Sequence, residues 1–285
     1  MNKISVVIGT FNQKDKLKNT LLSLFKQTLS PASYEIIVVD SSSTDGTGQM
    51  IGSLPKPSCE FRYIVAENKG KTFARNQGID QAQGEIIFLT DADMKADLNL
   101  LMEHQKAHAK SQNSAFEGLT INPDNKPYIK EKIKCSQKLK FSYFLSGNLS
   151  IKKDTLVSVG KFDEGFKGYG WEDIELGYRL FKYNVPLYYL PMAINYHDHP
   201  VTNEDMLKRK VDMGKSAAYF LKKHPNMEIK LFLGINPIAI AIFNYINKSP
   251  NILKYIADQS AKSPFFGYLL EEYYYRVGLR EAGAI

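Results

Sequence analysis

The sequence predicts an α/β fold, in which a mostly parallel β-sheet is flanked by helices and is followed by a helical C-terminal region. Two observations predict the sheet. Short β-branched runs alternate with stretches of helical periodicity through the first ninety residues, which is the pattern of βαβ units. Thr10, Asp40 and Asp91 fall at the ends of three of these runs, where such sheets bind ligands.

The predicted elements follow in a regular order. The strands cover residues 4–8, 34–39, 61–65 and 85–89, and helical patterns cover residues 17–25 and 72–83. From about residue 117 to 196, short strands mix with loops rich in glycine, lysine and aromatic residues, and from about residue 204 the pattern is helical. We therefore expect an α/β domain over residues 1–200 and a helical region over residues 201–285.

Composition excludes several classes of protein. The 285 residues are 44% hydrophobic and 24% charged, so disorder, collagen and coiled coil do not describe the whole chain. The two cysteines, Cys59 and Cys135, are too few for a disulfide framework or a thiolate zinc site. Because a strand begins at Ile4, with no room for a signal peptide before it, we expect a cytoplasmic protein.

Charge and hydropathy together predict contact with the inner face of a membrane. The net charge is +7, and residues 126–140 carry six lysines against Glu131 alone; a solvated loop is the alternative for that stretch. Residues 231–246 have no charge, but they are shorter than the roughly 20 residues of a bilayer span, and Pro237 interrupts them. A packed helical region is the alternative to peripheral contact. No nucleic-acid-binding module is recognisable, so we expect no nucleic-acid partner.

Two common phosphate-binding motifs are absent from the sequence. The dinucleotide fingerprint needs three glycines after the first strand, where only Gly9 stands. Gly70-Lys71-Thr72 ends like a P-loop, but the first glycine of that motif would fall at Val65. Phosphate recognition in this chain therefore needs other residues.

Asp91-Ala92-Asp93 predicts a metal site. The motif follows a hydrophobic strand, so both carboxylates lie at a strand end. Oxygen ligands there suit Mg²⁺ or Mn²⁺, with diphosphate oxygens completing the octahedron. The alternative is an ordinary aspartate-rich turn.

Three further residues between the strands are candidates for nucleotide binding. Asp40 could accept a hydrogen bond from the N3–H of uracil, and its alternative role is an Asx turn or a helix N-cap. Lys71 and Arg75 could neutralise diphosphate charge, and their alternative is surface charge on a helix.

A glycine- and aromatic-rich loop leads to the acids Glu172 and Asp173 at the start of an amphipathic helix. Acids in a first helical turn also complement the helix dipole, but that alternative does not explain the loop. Trp171 is a candidate for stacking on a sugar ring, with a core position as the alternative. Beyond a strand at residues 186–190, His197 is a candidate metal ligand, and it is favoured over His199.

In this order the motifs resemble those of the family 2 glycosyltransferases, which have the GT-A fold, over about residues 4–200. SVVIGTFNQ resembles the opening strand and loop of the family, which implies nucleoside contacts for Thr10 and Phe11. VVDSSSTDGT is similar to the signature VVDDGSxDGT, so Asp40 is implied to contact uracil, while Ser41 replaces the second acid.

The later motifs carry the rest of the resemblance. ARNQGIDQAQGEIIFLTDAD resembles the block that ends in the DxD motif, which implies that Asp91 contacts the nucleotide and Asp93 coordinates the metal. Ser146-Gly147-Asn148 resembles the glycine loop beside the donor sugar, which implies donor contacts for Gly147 and Asn148.

GWEDIEL resembles the xED motif, which implies that Asp173 is the catalytic base and that Glu172 binds a sugar. His197 resembles the C-terminal histidine that completes the metal site.

The resemblance implies an inverting, metal-dependent transfer of a sugar from a UDP-sugar to an acceptor hydroxyl, in polysaccharide or glycoconjugate synthesis. The variant GYGWEDIELGYRL favours a hexose or N-acetylhexosamine donor, and the acceptor is a carbohydrate, a lipid-linked sugar or a protein. One alternative is a nucleotidyltransferase, which would need basic residues at 9–13, where none occurs. Another is a non-catalytic sugar-nucleotide-binding protein, against which the acids at 91, 93 and 173 argue.

Overall fold

The computed structural model describes residues 3–111, 113–129, 133–198 and 203–285. The chain divides into two compact units. The first is formed by residues up to Glu164 together with Asp173–Pro200, and the second by Gly165–Glu172 together with Val201–Ile285. The predicted functional boundary at residue 200 stays a prediction. Part of the predicted basic stretch, residues 130–132, lies outside the described residues.

The described residues of the first unit contain nine strands and six α-helices, of which the sixth begins at Glu172, a residue grouped with the second unit. The strands are β1 (Ile4–Thr10), β2 (Tyr34–Asp40), β3 (Glu60–Val65), β4 (Ile86–Asp91), β5 (Met94–Ala96), β6 (Ala115–Ile121), β7 (Lys138–Leu139), β8 (Leu149–Lys152) and β9 (Leu187–His197). The helices are α1 (Lys14–Leu24), α2 (Thr47–Gly52), α3 (Lys71–Gln81), α4 (Leu100–Lys110), α5 (Lys153–Ser158) and α6 (Glu172–Lys182). The four predicted strands and the two predicted helices are thereby confirmed.

The strands pair into one sheet in the order β3-β2-β1-β4-β8-β6-β9-β5, with β7 on β9. The ladders β3-β2-β1-β4 and β6-β9 are parallel, and those of β5, β7 and β8 are antiparallel. The antiparallel ladders are the short ones, so the sheet is mixed but mostly parallel, as predicted.

The central strands of the sheet are buried on both faces. Their successive residues point to opposite sides, and each side packs against helices. Val7 and Val39 face a core that includes residues of α3, α5 and α6. Val6 and Val38 face the other core, which includes residues of α1 and α4. This two-sided burial explains why these strands read as continuous apolar runs in the sequence.

Strand β9 is longer than predicted. The predicted strand at residues 186–190 continues to His197, so His197 ends the strand instead of following it. The cause is pairing on both sides. After a register shift between Gly118 and Leu119, β9 keeps its parallel pairing with β6, and its last residues also pair with β5.

The second unit is helical, as predicted. Its helices are α7 (Asn203–Lys223), α8 (Met227–Phe232), α9 (Pro237–Asn247), α10 (Pro250–Ser260) and α11 (Pro264–Glu281). The side chains of Asn226 and Asn236 cap α8 and α9, and α9, α10 and α11 each begin with a proline, which suits the first helical position. Among the described helices, none combines the length and the hydropathy that crossing a membrane requires.

Helices α7 and α11 approach each other closely at two glycines. A Cβ atom at Gly214 would lie 2.0 Å from the carbonyl oxygen of Tyr275, and one at Gly278 would lie 2.0 Å from that of Val211. No side chain fits at such distances, so the two backbones pack in direct contact.

We expect Gly278→Ala to lower the free energy of unfolding by about 2 kcal/mol or more, because the new methyl group must push α7 and α11 apart. Gly267→Ala is the matched control on the same helix. Its Cβ atom would lie 3.4 Å from its nearest neighbour, so the gain of about 1 kcal/mol in helix propensity should make it neutral or stabilising. Urea unfolding followed by circular dichroism measures both variants. Equal stability of Gly278→Ala and wild type would contradict the close packing.

Candidate active site

The carboxyl ends of β1, β2 and β4 bring several predicted residues to one edge of the sheet. Thr10 pairs with Asp40 across β1 and β2, and Gly9 pairs with Asp91 across β1 and β4. The loops that follow are also joined, because the side-chain oxygen of Asn12 accepts a hydrogen bond from the Thr44 N–H at 2.8 Å. The strand ends therefore form one continuous rim, as expected for parallel strands.

Asp40 is 1% exposed, and both of its carboxylate oxygens accept hydrogen bonds. Oδ1 accepts from the N–H and the hydroxyl of Ser43 at 2.9 and 2.6 Å, and Oδ2 accepts from the Tyr63 hydroxyl at 2.5 Å. Burial, reinforced by the neighbouring Asp40, raises the pKa of Tyr63, so this hydroxyl keeps its proton. The turn that was an alternative role for Asp40 is therefore present. The helix-cap alternative is wrong, because Gly46 occupies the N-cap of α2.

The other two predicted nucleoside contacts stand at the end of β1 and directly after it. Thr10 is 4% exposed, and its Oγ1 has no hydrogen-bond partner among the described residues. Phe11 is 46% exposed at the start of the following loop. A buried hydroxyl without a partner is costly, so Thr10 fits a position that a ligand completes.

Asp91 is held by two cations of α3. The Arg75 Nη2 atom lies 2.6 Å and the Lys71 Nζ atom 3.3 Å from its Oδ1. Burial acts to raise the pKa of Asp91, but Lys71 and Arg75 outweigh it and lower that pKa to about 2. The Arg75 side chain is only 1% exposed, so the surface-charge alternative is wrong for Arg75, whereas the Lys71 side chain is 48% exposed.

The glycine loop lies directly beside Asp91. A Cβ atom at Gly147 would stand 3.7 Å from the Asp91 Oδ2 atom. The carbonyl oxygen of Gly147 accepts hydrogen bonds from the Thr90 hydroxyl and the Asn195 amide, each at 3.0 Å. The loop is thus fastened to both β4 and β9, and its glycine places backbone, with no side chain, beside the carboxylate.

Asn148 is fully buried, and its amide group bonds only within the fold. Its Nδ2 donates to the carbonyls of Leu119 and Ala193 at 3.1 and 2.9 Å, and its Oδ1 lies 3.0 Å from His104 Nε2. A side-chain contact of Asn148 with a donor sugar does not fit this geometry. The structure instead gives this residue the role of anchoring the glycine loop.

Two buried histidines of α4 extend this anchor. His104 Nδ1 lies 2.7 Å and His108 Nε2 lies 2.9 Å from the hydroxyl of Ser150. Burial lowers the pKa of His104 to about 4 and that of His108 to about 3, so both rings are neutral at pH 7. Sequence reasoning did not select these histidines. Their spacing of four residues, which puts both on one helix face, was the available signal.

Asp93 and His197 lie together at the predicted metal site. Their Oδ2 and Nε2 atoms are 3.6 Å apart, and β5–β9 pairing sets Met94 opposite His197. One carboxylate and one imidazole at this distance fit Mn²⁺ or Mg²⁺, which take their remaining ligands from water and phosphate. No group of three or more His, Cys, Asp and Glu suited to a metal occurs in the described part of the chain. His199, the competing candidate, lies outside the described residues.

Asp173 stands in the first turn of α6, half-buried, with its Oδ1 accepting the Ile174 N–H at 2.8 Å. The position is one where acids complement the helix dipole, so that alternative is consistent with the structure. A second acid, Glu117 of β6, accepts the Leu145 N–H at 3.1 Å. Burial, together with the nearby charge of Asp173, raises the pKa of Glu117 well above its usual value. The sequence signal that could have identified Glu117 as a candidate site residue is its position as an acid within a largely apolar strand.

Trp171 and Glu172 belong to the second unit. The Trp171 Nε1 donates to the Met213 carbonyl at 3.0 Å, and the ring packs on Phe220 and Phe232, so its core alternative accounts for these contacts. Its backbone, however, has a φ of 71°, which is rare for a large side chain and is typical of functional loops. Glu172 is 7% exposed.

Comparison with protein families defines the class. The family model for Glycosyl transferase family 2 matches residues 5–162, more than half of the chain, and the model for the N-terminal domain of galactosyltransferase matches residues 127–202. The chain therefore belongs to glycosyl transferase family 2, and it is a glycosyltransferase.

Three curated relatives agree with this class. The uncharacterized glycosyltransferase YfnE of Bacillus subtilis (strain 168) is 27% identical over 79% of this chain and 71% of its own length. Validoxylamine A glucosyltransferase of Streptomyces hygroscopicus subsp. limoneus is 25% identical, over 81% and 59%. Poly-β-1,6-N-acetyl-D-glucosamine synthase of Staphylococcus epidermidis is 28% identical, over 73% and 53%. The chain thus spans little more than half the length of two of these relatives.

Solved structures confirm the GT-A fold. The mannosyltransferase PcManGT of Pyrobaculum calidifontis, in complex with GDP-Man and Mn²⁺, matches with a TM-score of 0.72 and 19% identity, over 99% of this chain and 87% of that one. TarS 1-349 of Staphylococcus aureus, in complex with UDP-GlcNAc, matches with a TM-score of 0.60 and 17% identity, over 98% and 91%.

Proposed function

We propose that this glycosyltransferase moves a hexose or an N-acetylhexosamine from a UDP-sugar to an acceptor hydroxyl with inversion, in polysaccharide or glycoconjugate synthesis. The observation that carries the proposal is the convergence at one sheet edge of Asp40, Asp91 and Gly147, with Asp93 in the turn between β4 and β5 and His197 at the end of β9. The matching relatives include a glucosyltransferase and an N-acetylglucosamine polymer synthase, which supports these two sugar classes.

The nucleoside is assigned to the ends of β1 and β2. Asp40, held in place by Ser43 and Tyr63, accepts the N3–H of uracil, and Thr10 supplies a hydroxyl that has no partner within the described fold. Phe11 contributes an exposed ring beside them. A preorganised acceptor is favourable here because its ordering is already complete before the ligand arrives.

The diphosphate is assigned to the cations beside Asp91. Lys71 is exposed at the rim, and Arg75 lies beneath Asp91, so their charges reach the site from α3. Asp93 and His197 would hold Mn²⁺ or Mg²⁺. When bound, that ion neutralises negative charge on the leaving diphosphate.

The role of general base, which accepts the proton of the acceptor hydroxyl, is assigned to Asp173. As the hydroxyl oxygen forms its bond to the anomeric carbon, Asp173 takes the proton, and the bond from that carbon to the diphosphate oxygen breaks. One displacement of this kind inverts the anomeric configuration. Glu172 and Trp171 are assigned to contacts with the sugars, and the backbone of Gly147 lines the donor side.

The test is a panel of nucleotide sugars in a thermal unfolding assay, with Mn²⁺ and with chelator. A ligand at about a hundred times its Kd adds about 2.7 kcal/mol to stability, so binding is readily seen. We expect UDP-glucose, UDP-galactose or their N-acetyl forms to stabilise the protein only with metal, and to release UDP when acceptor is present. Stabilisation by GDP-mannose alone would contradict the uridine assignment, and no stabilisation by any member would contradict the donor class.

A further inference from the structure

Helix α9 exposes three large, mainly apolar side chains along one side, next to the exposed Asn244. Ile238, Ile242 and Tyr245 are 73%, 48% and 66% exposed, and their spacing of four and three residues puts them on one side of the helix. The opposite side, with Phe243 and Ile246, is buried in the core of the second unit. A helix that is apolar on both sides but buried on only one needs a further partner for the exposed side.

The same surface continues onto α10 and α11. Ile242 and Tyr268 line a common groove of about 190 Å³ between α9 and α11. Beyond it, the rings of Tyr255 and Phe265 both contact the ring of Phe266, at centroid distances of 5.6 and 5.5 Å. Tyr268, Tyr255 and Phe265 are each more than half exposed. Together with the exposed residues of α9 they form what we call the apolar surface.

The charges that accompany this surface are mainly positive. Residues 237–270 carry three exposed lysines, Lys248, Lys254 and Lys262, and one acid, Asp258, a net charge of three minus one, or +2. The next two acids of α11, Glu271 and Glu272, form ion pairs with Lys210 and Arg276, so they do not cancel this excess. Lysine and tyrosine combine apolar stems or rings with polar ends, which suits the boundary between lipid and water. An anionic partner is therefore electrostatically complementary to this surface.

We propose that the apolar surface is a docking site for an anionic lipid bilayer, on which the second unit lies without crossing it. A second copy of the chain is the less favourable occupant, because a two-fold contact brings the same lysines opposite each other. A bilayer instead accepts the apolar side chains and neutralises the lysines at once. The proposal does not depend on the proposed sugar-transfer chemistry.

The experiment is flotation of the full chain with two kinds of vesicle, phosphatidylcholine alone and phosphatidylcholine with about one-third phosphatidylglycerol. We expect binding to the anionic vesicles, and we expect that binding to weaken as salt rises from about 50 to 500 mM, because the electrostatic part is screened. Absence of binding to anionic vesicles at low salt overturns the proposal.

The apolar contribution is isolated by an uncharged double variant, Ile238→Gln with Ile242→Gln. We expect its partition coefficient on anionic vesicles to fall at least about tenfold, because two exposed apolar anchors are lost. The matched control is Val157→Gln with Tyr183→Gln, which removes two exposed apolar side chains of the first unit and should leave partitioning unchanged. Equal partitioning of both double variants overturns the assignment of this surface.

The electrostatic contribution is tested by Lys248→Gln with Lys254→Gln. This variant should bind anionic vesicles several-fold less tightly and depend less on salt, whereas Lys18→Gln with Lys110→Gln, which changes the net charge equally, should retain binding. Sedimentation velocity tests the other possible occupant, a second copy of the chain, by measuring whether the protein is a dimer. A wild-type dimer that Ile238→Gln with Ile242→Gln dissociates, without vesicle binding by wild type, assigns the surface to a second copy and overturns the proposal.

Discussion

Replacing Asp173 with Asn should lower turnover at least about a hundredfold while the affinity for the donor changes little. The substitution keeps the shape of the side chain and its hydrogen bond to the Ile174 N–H, but it removes the basic oxygen. A sugar hydroxyl is a weak nucleophile at neutral pH, so it needs a carboxylate to accept its proton during attack. Steady-state kinetics of acceptor glycosylation and calorimetry with the donor measure the two effects separately.

The matched control is Asp154→Asn, which removes an acid from the first turn of α5. If the acids of α6 acted only through the helix dipole, both substitutions would cost a few tenths of a kcal/mol of stability and neither would affect turnover. Glu172→Gln tests the neighbouring acid. Full turnover of Asp173→Asn, with Glu172→Gln inactive, would move the base to Glu172, and activity of both would contradict the inverting mechanism.

Asp93→Asn should abolish the effect of metal on UDP binding. The wild-type protein should bind UDP more tightly with Mn²⁺ or Mg²⁺ than with chelator, since a divalent cation bound by Asp93 and His197 attracts the diphosphate. Loss of the carboxylate charge removes a ligand of a hard cation, so the variant should bind UDP equally with and without metal. Titration calorimetry under the two conditions measures the difference.

Asp97→Asn is the control for that experiment, because it changes an acid four residues away whose Oδ1 accepts the Asn99 N–H at 3.0 Å. It should keep the metal effect. His197→Ala should reduce the effect without unfolding the protein. Identical UDP affinity of wild type with and without metal would contradict the assignment at once.

Much of the fold could be predicted because its sheet is buried on both faces. Continuous apolar runs such as those of β2 and β4 predict buried strands, and the acids at their ends indicate the edge of the sheet that carries the site. The same reasoning predicts from the sequence that Asp40 and Asp91 are site residues, without any information on the side chains that contact them. What it could not supply was the pairing of strands distant in sequence, such as β5 with β9, on which the approach of Asp93 to His197 depends.

Helix α4 escaped the sequence prediction for a related reason. Two of its buried positions are His104 and His108, so the apolar periodicity that would predict a buried helix is interrupted. The anchoring role of Asn148 could not be predicted from the sequence, because the resemblance of Ser146-Gly147-Asn148 to a donor-binding loop implied only a ligand contact. Only the structure reveals the carbonyls of Leu119 and Ala193 and the imidazole that occupy its amide.

The two buried histidines of α4, which anchor the glycine loop, lower the stability of the folded chain in acid. Burial holds the pKa of His104 at about 4 and that of His108 at about 3, against an ordinary value of 6.5. At a pH between these values and 6.5, the two histidines bind protons in the unfolded chain but not in the folded chain. Between those values unfolding takes up protons, so the free energy of unfolding falls as the pH falls from about 6.5 toward 3. Acid therefore destabilises the first unit by protonating these two histidines in the unfolded chain. The residues that hold the glycine loop beside Asp91 thus also make the stability of that unit depend on pH.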